Sequence, residues 1–261
     1  MTFPKKLHKY IGDRISIKDA VGKSASGVYL FDDMVLKISK FDCEAENEVQ
    51  MLSWLAGKIP VPNIIEHISE NERSYLLMSK CTGKMACDQY YMSQPKELVE
   101  LLAEALHRLW SVDIKDCPCQ WSLQRRLEQA EENVDLNLVD IDDAQPDTFG
   151  PKGFRDPEQL LHWLKDNQPE QEQCLSHGDF CLPNIFLTDS VVTGFIDLGK
   201  SGIADPWQDI ALCCRTLDNN YSGMYDGKRH TGYNQQMLFD ALGIKPDPER
   251  IRYYILLDEL F

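Results

Sequence analysis

Residues 177–199, HGDFCLPNIFLTDSVVTGFIDLG, constrain the fold more than any other part of the chain. Two short apolar runs, 185–187 and 191–196, are joined at Thr188, Asp189 and Ser190, polar residues suited to a bend. The pattern predicts a β-hairpin. Asp179 and Asn184 stand just before it, and Asp197-Leu198-Gly199 just after it. The hairpin therefore gathers two carboxylates and one amide. Each alone would be read as a cap or a bend; in this order they point to chemistry.

Phosphoryl transfer needs such a set. One carboxylate orients the attacking hydroxyl, while a carboxylate and an amide oxygen hold Mg²⁺ on the nucleotide phosphates. Hard oxygen donors suit that ion. Upstream, Gly22-Lys23-Ser24-Ala25-Ser26-Gly27 lies between two strand-like runs. Small residues there let backbone N–H groups approach phosphates, although the run is neither a Walker A motif nor a full GxGxxG. Met34–Ile38 then alternates like a strand and carries Lys37, placed to reach the α- and β-phosphates.

A helix is expected over 44–56. Its Glu48, Leu52 and Leu55 fall on one face, so Glu48 points inward. A carboxylate there wants a cation, and Lys37 is the natural partner, with Glu44 as the rival acid. Two more strands, 64–68 and 75–78, complete a small antiparallel sheet, and residues 79–83 break the pattern. Backbone groups of Ser79 and Cys81 are expected to meet the adenine edge at that hinge.

Beyond residue 96 the chain turns helical. Leu98, Leu101, Leu102, Ala105 and Leu109 repeat at 3.6 residues, a core stripe. Helices are expected over 123–132 and 157–166, the latter capped by Asp156 with Pro157 first. Residues 139–153 read as an acidic surface loop. Asp209, just before the apolar stretch 210–214, is expected to anchor the backbone of the 177–184 loop. Residues 219–232 read as a loop, followed by helices over 233–242 and 248–260.

Composition narrows the function. The formal net charge is −15 over 261 residues, which argues against nucleic acid, since its binding needs a basic face. An anionic surface draws cations. No apolar run approaches a membrane span, and residues 1–12 lack the apolar core of a signal peptide; a cytoplasmic protein is expected. Nine scattered cysteines fit reduced thiols, and neither Cys117-Pro118-Cys119 nor Cys213-Cys214 has a matching pair for a zinc site.

The chain resembles the aminoglycoside 3′-phosphotransferases. The resemblance is carried by HGDxxxxN from His177, IDLGxxGxAD over 196–205, GIKPD over 243–247 and YYILLDELF over 253–261. It implies an α+β, protein-kinase-like fold with a small antiparallel sheet lobe (1–79), a hinge (80–84) and a mainly helical lobe (85–261). It implies transfer of the γ-phosphoryl of ATP to the 3′-hydroxyl of kanamycin- and neomycin-type drugs. Asp179 would be the catalytic base, Asn184 and Asp197 the Mg²⁺ ligands, and Lys37 the partner of Glu48, with Ser24 in the nucleotide loop. Substrate amines would meet Asp258, Glu259 and the carboxylate of Phe261, with further contacts from Asp147, Arg215, Asn219 and Asn220. Lys200 replaces the arginine expected after the DLG turn. The competing readings are a kinase of the same fold for choline, homoserine or a sugar, and a pseudokinase without turnover; intact Lys37, Asp179, Asn184 and Asp197 argue against the second.

Overall fold

The computed structural model describes residues 3–12, 14–18, 27–225 and 227–261. A short helix α1 (His8–Ile11) leads into β1 (Ile17–Lys18), β2 (Gly27–Leu30) and β3 (Met34–Lys40). Helix α2 (Cys43–Leu55) follows, capped by Asp42 accepting from the Ala45 N–H. Strands β4 (Ile64–Glu70) and β5 (Arg73–Ser79) turn through Asn71 and Glu72, both at positive φ, the two-residue geometry that matches strand twist. The five strands form one antiparallel sheet in the order β1-β2-β3-β5-β4.

Alternation along β5 gives this sheet two cores. Tyr75 and Leu77 join Leu36, Ile38, Phe31 and Leu7 on one face. Leu76 and Met78 face the other way, with Met51, Leu52 and Leu55 of α2, and belong to the large core of the helical part. The sheet is thus continuous with the rest of the molecule through α2.

Past the hinge come β6 (Lys84–Met85), α3 (Gln89–Met92), α4 (Pro95–Trp110), α5 (Leu123–Asp135) and α6 (Pro157–Asp166). The apolar stripe of α4 is buried throughout. Next are β7 (Cys174–Ser176), β8 (Ile185–Thr188), β9 (Val191–Phe195) and β10 (Gly202–Ala204), and finally α7 (Pro206–Ser222), α8 (Gln236–Leu242) and α9 (Pro248–Asp258). Strands β8 and β9 are the expected hairpin; β6 pairs with β8, and β7 with β10. Among the described residues no helix is long and apolar enough to cross a membrane.

Two boundaries differ from expectation. Asn219, Asn220, Tyr221 and Ser222 are the last turn of α7, not a loop; the helix stops only at Gly223, in the left-handed conformation. Helix α9 ends at Asp258, so Glu259 is its cap and Leu260 and Phe261 lie beyond it.

The segment 80–84 docks tightly on the hairpin. Gly83 has φ +93°, and a Cβ there would stand 2.1 Å from the Leu187 carbonyl oxygen and 2.4 Å from Thr188 Oγ1. Gly83→Ala should therefore cost about 2 kcal/mol or more, from backbone strain and overlap together. A urea-unfolding midpoint equal to that of the unmodified protein would show instead that the segment shifts freely.

Candidate active site

The site begins with Lys37 in β3, opposite Leu76 of β5. Its Nζ lies 2.8 Å from Glu48 Oε2 and 2.6 Å from Asp197 Oδ1. Glu48 rather than Glu44 is the partner on α2; Glu44 lies at the cavity wall. Burial alone would lower the lysine pKa, but the two carboxylates hold it above its ordinary value. Burial raises Glu48, with Lys37 opposing. For Asp197 burial works the same way, yet Lys37 outweighs it and the carboxyl sits below its usual range.

Asp197 adopts φ 61° and ψ 55°, a conformation that non-glycine residues rarely take and that clusters at functional sites. The Ile196 N–H donates to the Asn184 carbonyl at 3.0 Å, closing the base of the hairpin. Asn184 and Asp197 thereby stand side by side. Asn184 Nδ2 donates to the Asp179 carbonyl and to Asp179 Oδ2, both at 3.0 Å. That assignment leaves Asn184 Oδ1 as the amide's acceptor.

The loop 176–184 is held from below. Buried Asp209, in the first turn of α7, accepts from the His177 N–H at 2.7 Å and the Gly178 N–H at 3.0 Å. Gln208 Nε2 donates to the Gly178 carbonyl and Ser201 Oγ to that of Ser176. Gly178, at φ +83°, lies so close to the Lys200 carbonyl that a Cβ would stand 1.8 Å from it. On the other side, Asn47 of α2 donates to the carbonyls of Gly199 and Ser201 at 2.9 and 2.8 Å. One helix thus supplies both the Glu48 carboxylate and the tie to the loop after Asp197.

Lys37, Glu48, Asp179, Asp197, Gly199 and Lys200 share the wall of one cavity of 220 Å³. Ser79 spends its N–H on the Asn63 carbonyl and its Oγ on the Asn63 N–H, which leaves its carbonyl for a ligand edge. The Cys81 thiol packs where a Cβ on Gly194 would fall, and burial pushes it up to about 11. Ser24 and its neighbours lie outside the described residues.

The chain end is built differently from the expected open acidic patch. Asp258 is clamped by Arg215 Nη2 at 2.5 Å and Arg126 Nη2 at 3.3 Å. Burial would raise its carboxyl, but Arg215 above all, with Lys200 and Arg126, holds it below the usual range. Glu259 Oε2 accepts from the Gln145 N–H at 2.9 Å, and its other oxygen is 3.6 Å from Arg215; burial raises its pKa. The Phe261 ring lies between Arg126 and Lys200, 4.8 and 5.4 Å from its centre. Gln145 brings the acidic loop to Glu259, while Asp147 stays exposed two residues on. Asn219 is buried with its amide on the Tyr225 hydroxyl, and the Asn220 amide bonds the Thr216 carbonyl; both amides are thus engaged within the helix and its following loop.

Asn47, Gln208, Ser176, Ser201 and Arg126 escape the sequence reading. They are polar residues on otherwise ordinary helices, a strand and, for Ser201, the residue before β10, and these partners are 25 to 154 positions away. A buried-face polar residue such as Asn47, one position before Glu48, is the one signal the helical period offers.

A sequence profile of the Phosphotransferase enzyme family matches residues 19–254. The chain is 38% identical to an aminoglycoside 3′-phosphotransferase of Enterococcus faecalis, over all of this chain and 99% of that one. It is equally similar to one of Staphylococcus aureus, with the same shares covered. Among solved structures, an aminoglycoside-3′-phosphotransferase of type VIII superposes with a TM-score of 0.79 at 25% identity, covering 94% of both chains. APH(3″)-Id of Streptomyces rimosus, solved with ADP and streptomycin, gives 0.79 at 27% identity over 97% of this chain and 95% of that one. With the hairpin, the lysine–carboxylate cluster and these likenesses together, the chain belongs to the Phosphotransferase enzyme family and, within it, to the aminoglycoside 3′-phosphotransferases.

Proposed function

We propose that this protein transfers the γ-phosphoryl group of ATP to the 3′-hydroxyl of aminoglycoside antibiotics of the kanamycin and neomycin type, and so confers resistance. The observation that carries the reading is the convergence of Lys37, Glu48, Asp179, Asn184 and Asp197. The two lobes, 1–79 and 85–261, meet at the hinge 80–84, where Ser79 and Cys81 take the adenine edge; Ser24 belongs to the phosphate-facing loop.

Lys37 turns its ammonium toward the nucleotide phosphates while Glu48 keeps it oriented. Asp179 accepts a hydrogen bond from the sugar hydroxyl and aligns it for in-line attack. Asn184 Oδ1 and the Asp197 carboxylate are hard oxygens of the kind Mg²⁺ takes. Mg²⁺, when bound, offsets the phosphate charge.

Glu259 and the acidic loop near Asp147 offer charge to substrate amines, and Asp258 acts with Arg215 as a fixed ion pair beside them. Phe261 closes this side; Asn219 and Asn220 shape the adjoining turn of α7. A choline kinase reading would need an aromatic cage. Tyr221 and Tyr233 instead stack on each other, 4.7 Å apart, with Tyr221 buried.

Asp179→Ala should abolish detectable transfer while nucleotide binding by calorimetry stays nearly intact; turnover within tenfold of the unmodified enzyme would remove Asp179 from its role. Asp197→Ala should lose metal-dependent nucleotide affinity, and unchanged affinity would move the metal elsewhere. In a drug panel, kanamycin and neomycin should be phosphorylated, whereas tobramycin and gentamicin, without a 3′-hydroxyl, should bind without 3′-phosphorylation. Efficient turnover of gentamicin would point to another hydroxyl.

Asp258 links the site to stability. Its carboxyl is depressed in the folded state, so the pairing stabilises above the unfolded value of about 4 and is lost as pH falls through the lower native value. Asp258→Asn should cost about 3 kcal/mol at pH 7, and the difference should begin to narrow below about pH 4 and close only under the depressed native value. Melting curves at neutral pH and below that native value would check it; a gap that persists in acid would mean the loss is one of packing rather than charge.

A further inference from the structure

We propose that Cys181 is a positioning residue for phosphoryl transfer: its thiol donates to Asp179 Oδ1 and fixes the rotamer in which that carboxylate meets the acceptor hydroxyl. The inference rests on the role given to Asp179 above.

Cys181 Sγ stands 3.0 Å from Asp179 Oδ1. The second oxygen, Oδ2, receives Asn184 Nδ2 at the same distance. A single donor would leave the carboxylate free to rotate about its Cβ–Cγ bond; two donors, one on each oxygen, stop that rotation. An ionised carboxylate has about four acceptor sites, so both donors together still leave room for a substrate hydroxyl. Both donors belong to the loop that carries Asp179. The Cys181 N–H donates to the Asp179 carbonyl at 2.9 Å, and the Asn184 N–H to the Cys181 carbonyl at 2.9 Å. The backbone thus places the thiol whatever the substrate does.

The thiol remains a donor at neutral pH. Burial, and then the charge of Asp179, push it well above the ordinary cysteine range, so it is neither a thiolate nor a nucleophile. Arg215 and Asp258 also act on it electrostatically. An untethered Asp179 would face the cations nearby, Lys37 and Lys200 in the cavity wall, and turning toward them would carry it away from the acceptor.

Cys181→Ala and Cys181→Ser separate this role from packing. In steady-state transfer from MgATP to kanamycin, Cys181→Ala should lower kcat by about tenfold, the loss expected for one hydrogen bond to a charged group, with both KM values within about twofold. Cys181→Ser keeps a donor and should recover most of the lost rate. Melting temperatures of the two variants should agree with each other. Cys181→Ala with unchanged kcat overturns the proposal. So does a serine variant as slow as the alanine one, or a loss confined to KM and accompanied by lower melting, since either would mark a packing role. If the unmodified protein transfers no phosphoryl group to any aminoglycoside, the role of Asp179 falls and this inference with it; transfer by the unmodified protein and by Cys181→Ala alike refutes only the positioning role.

Discussion

Lys37 carries its ammonium into a partly desolvated cleft, and the surrounding architecture follows from compensating it. A buried cation needs anions with good geometry, and two are supplied, Glu48 from α2 and Asp197 from two residues past the end of β9. Strand, helix and hairpin are thereby tied at one point. The tie has a second strand of evidence in Asn47, which fixes the backbone after Asp197 from the same helix as Glu48. If α2 moves, both the lysine partner and the loop of Asp197 move with it.

The same economy governs the loop of Asp179. Without Asp209 the His177 N–H would be orphaned in the interior and that of Gly178 left with Ser176 Oγ alone, and an unmet buried donor costs about 1–3 kcal/mol. Burial raises the Asp209 carboxyl against the pull of His177 and of these N–H groups, so the anchor is itself held under electrostatic tension. A glycine at 178 is required because the Lys200 carbonyl occupies the space of a side chain. Asp179 thus projects from a backbone with almost no freedom, which is what orientation of an acceptor demands.

Much of this was legible in the chain. Alternation exposed Lys37, the helical period turned Glu48 inward, and an acid just before Ile210, Ala211 and Leu212 marked Asp209 as an anchor. The hairpin declared itself through two apolar runs and a polar bend. What was not legible depends on tertiary partners. Nothing local separates Arg126 from its neighbour Arg125, yet one is buried against Asp258 and the other lies on the surface. The end of α7 was misread because Asn, Tyr and Ser resemble loop residues, whereas packing carries the helix on to Gly223. Likewise Asp258 and Glu259 read as equivalent acids, and only their distances to Arg215 distinguish them.

That distinction bears on how an acidic site can receive a polycation. Several bare carboxylates close together would repel one another and lose solvation before any ligand arrived. Here Arg126 and Arg215 neutralise Asp258 in advance, and Glu259 is tied to the Gln145 N–H. The acids are thereby held in place at tolerable cost, and the field they present is that of Glu259 and the adjoining acidic loop rather than of the whole cluster. Arg215 lies 2.5 Å from Asp258 and 3.6 Å from Glu259, so its pairing is mainly with Asp258. The net charge of −15 attracts cations at long range, while the arginines inside the cluster offset the charge of its buried acids locally.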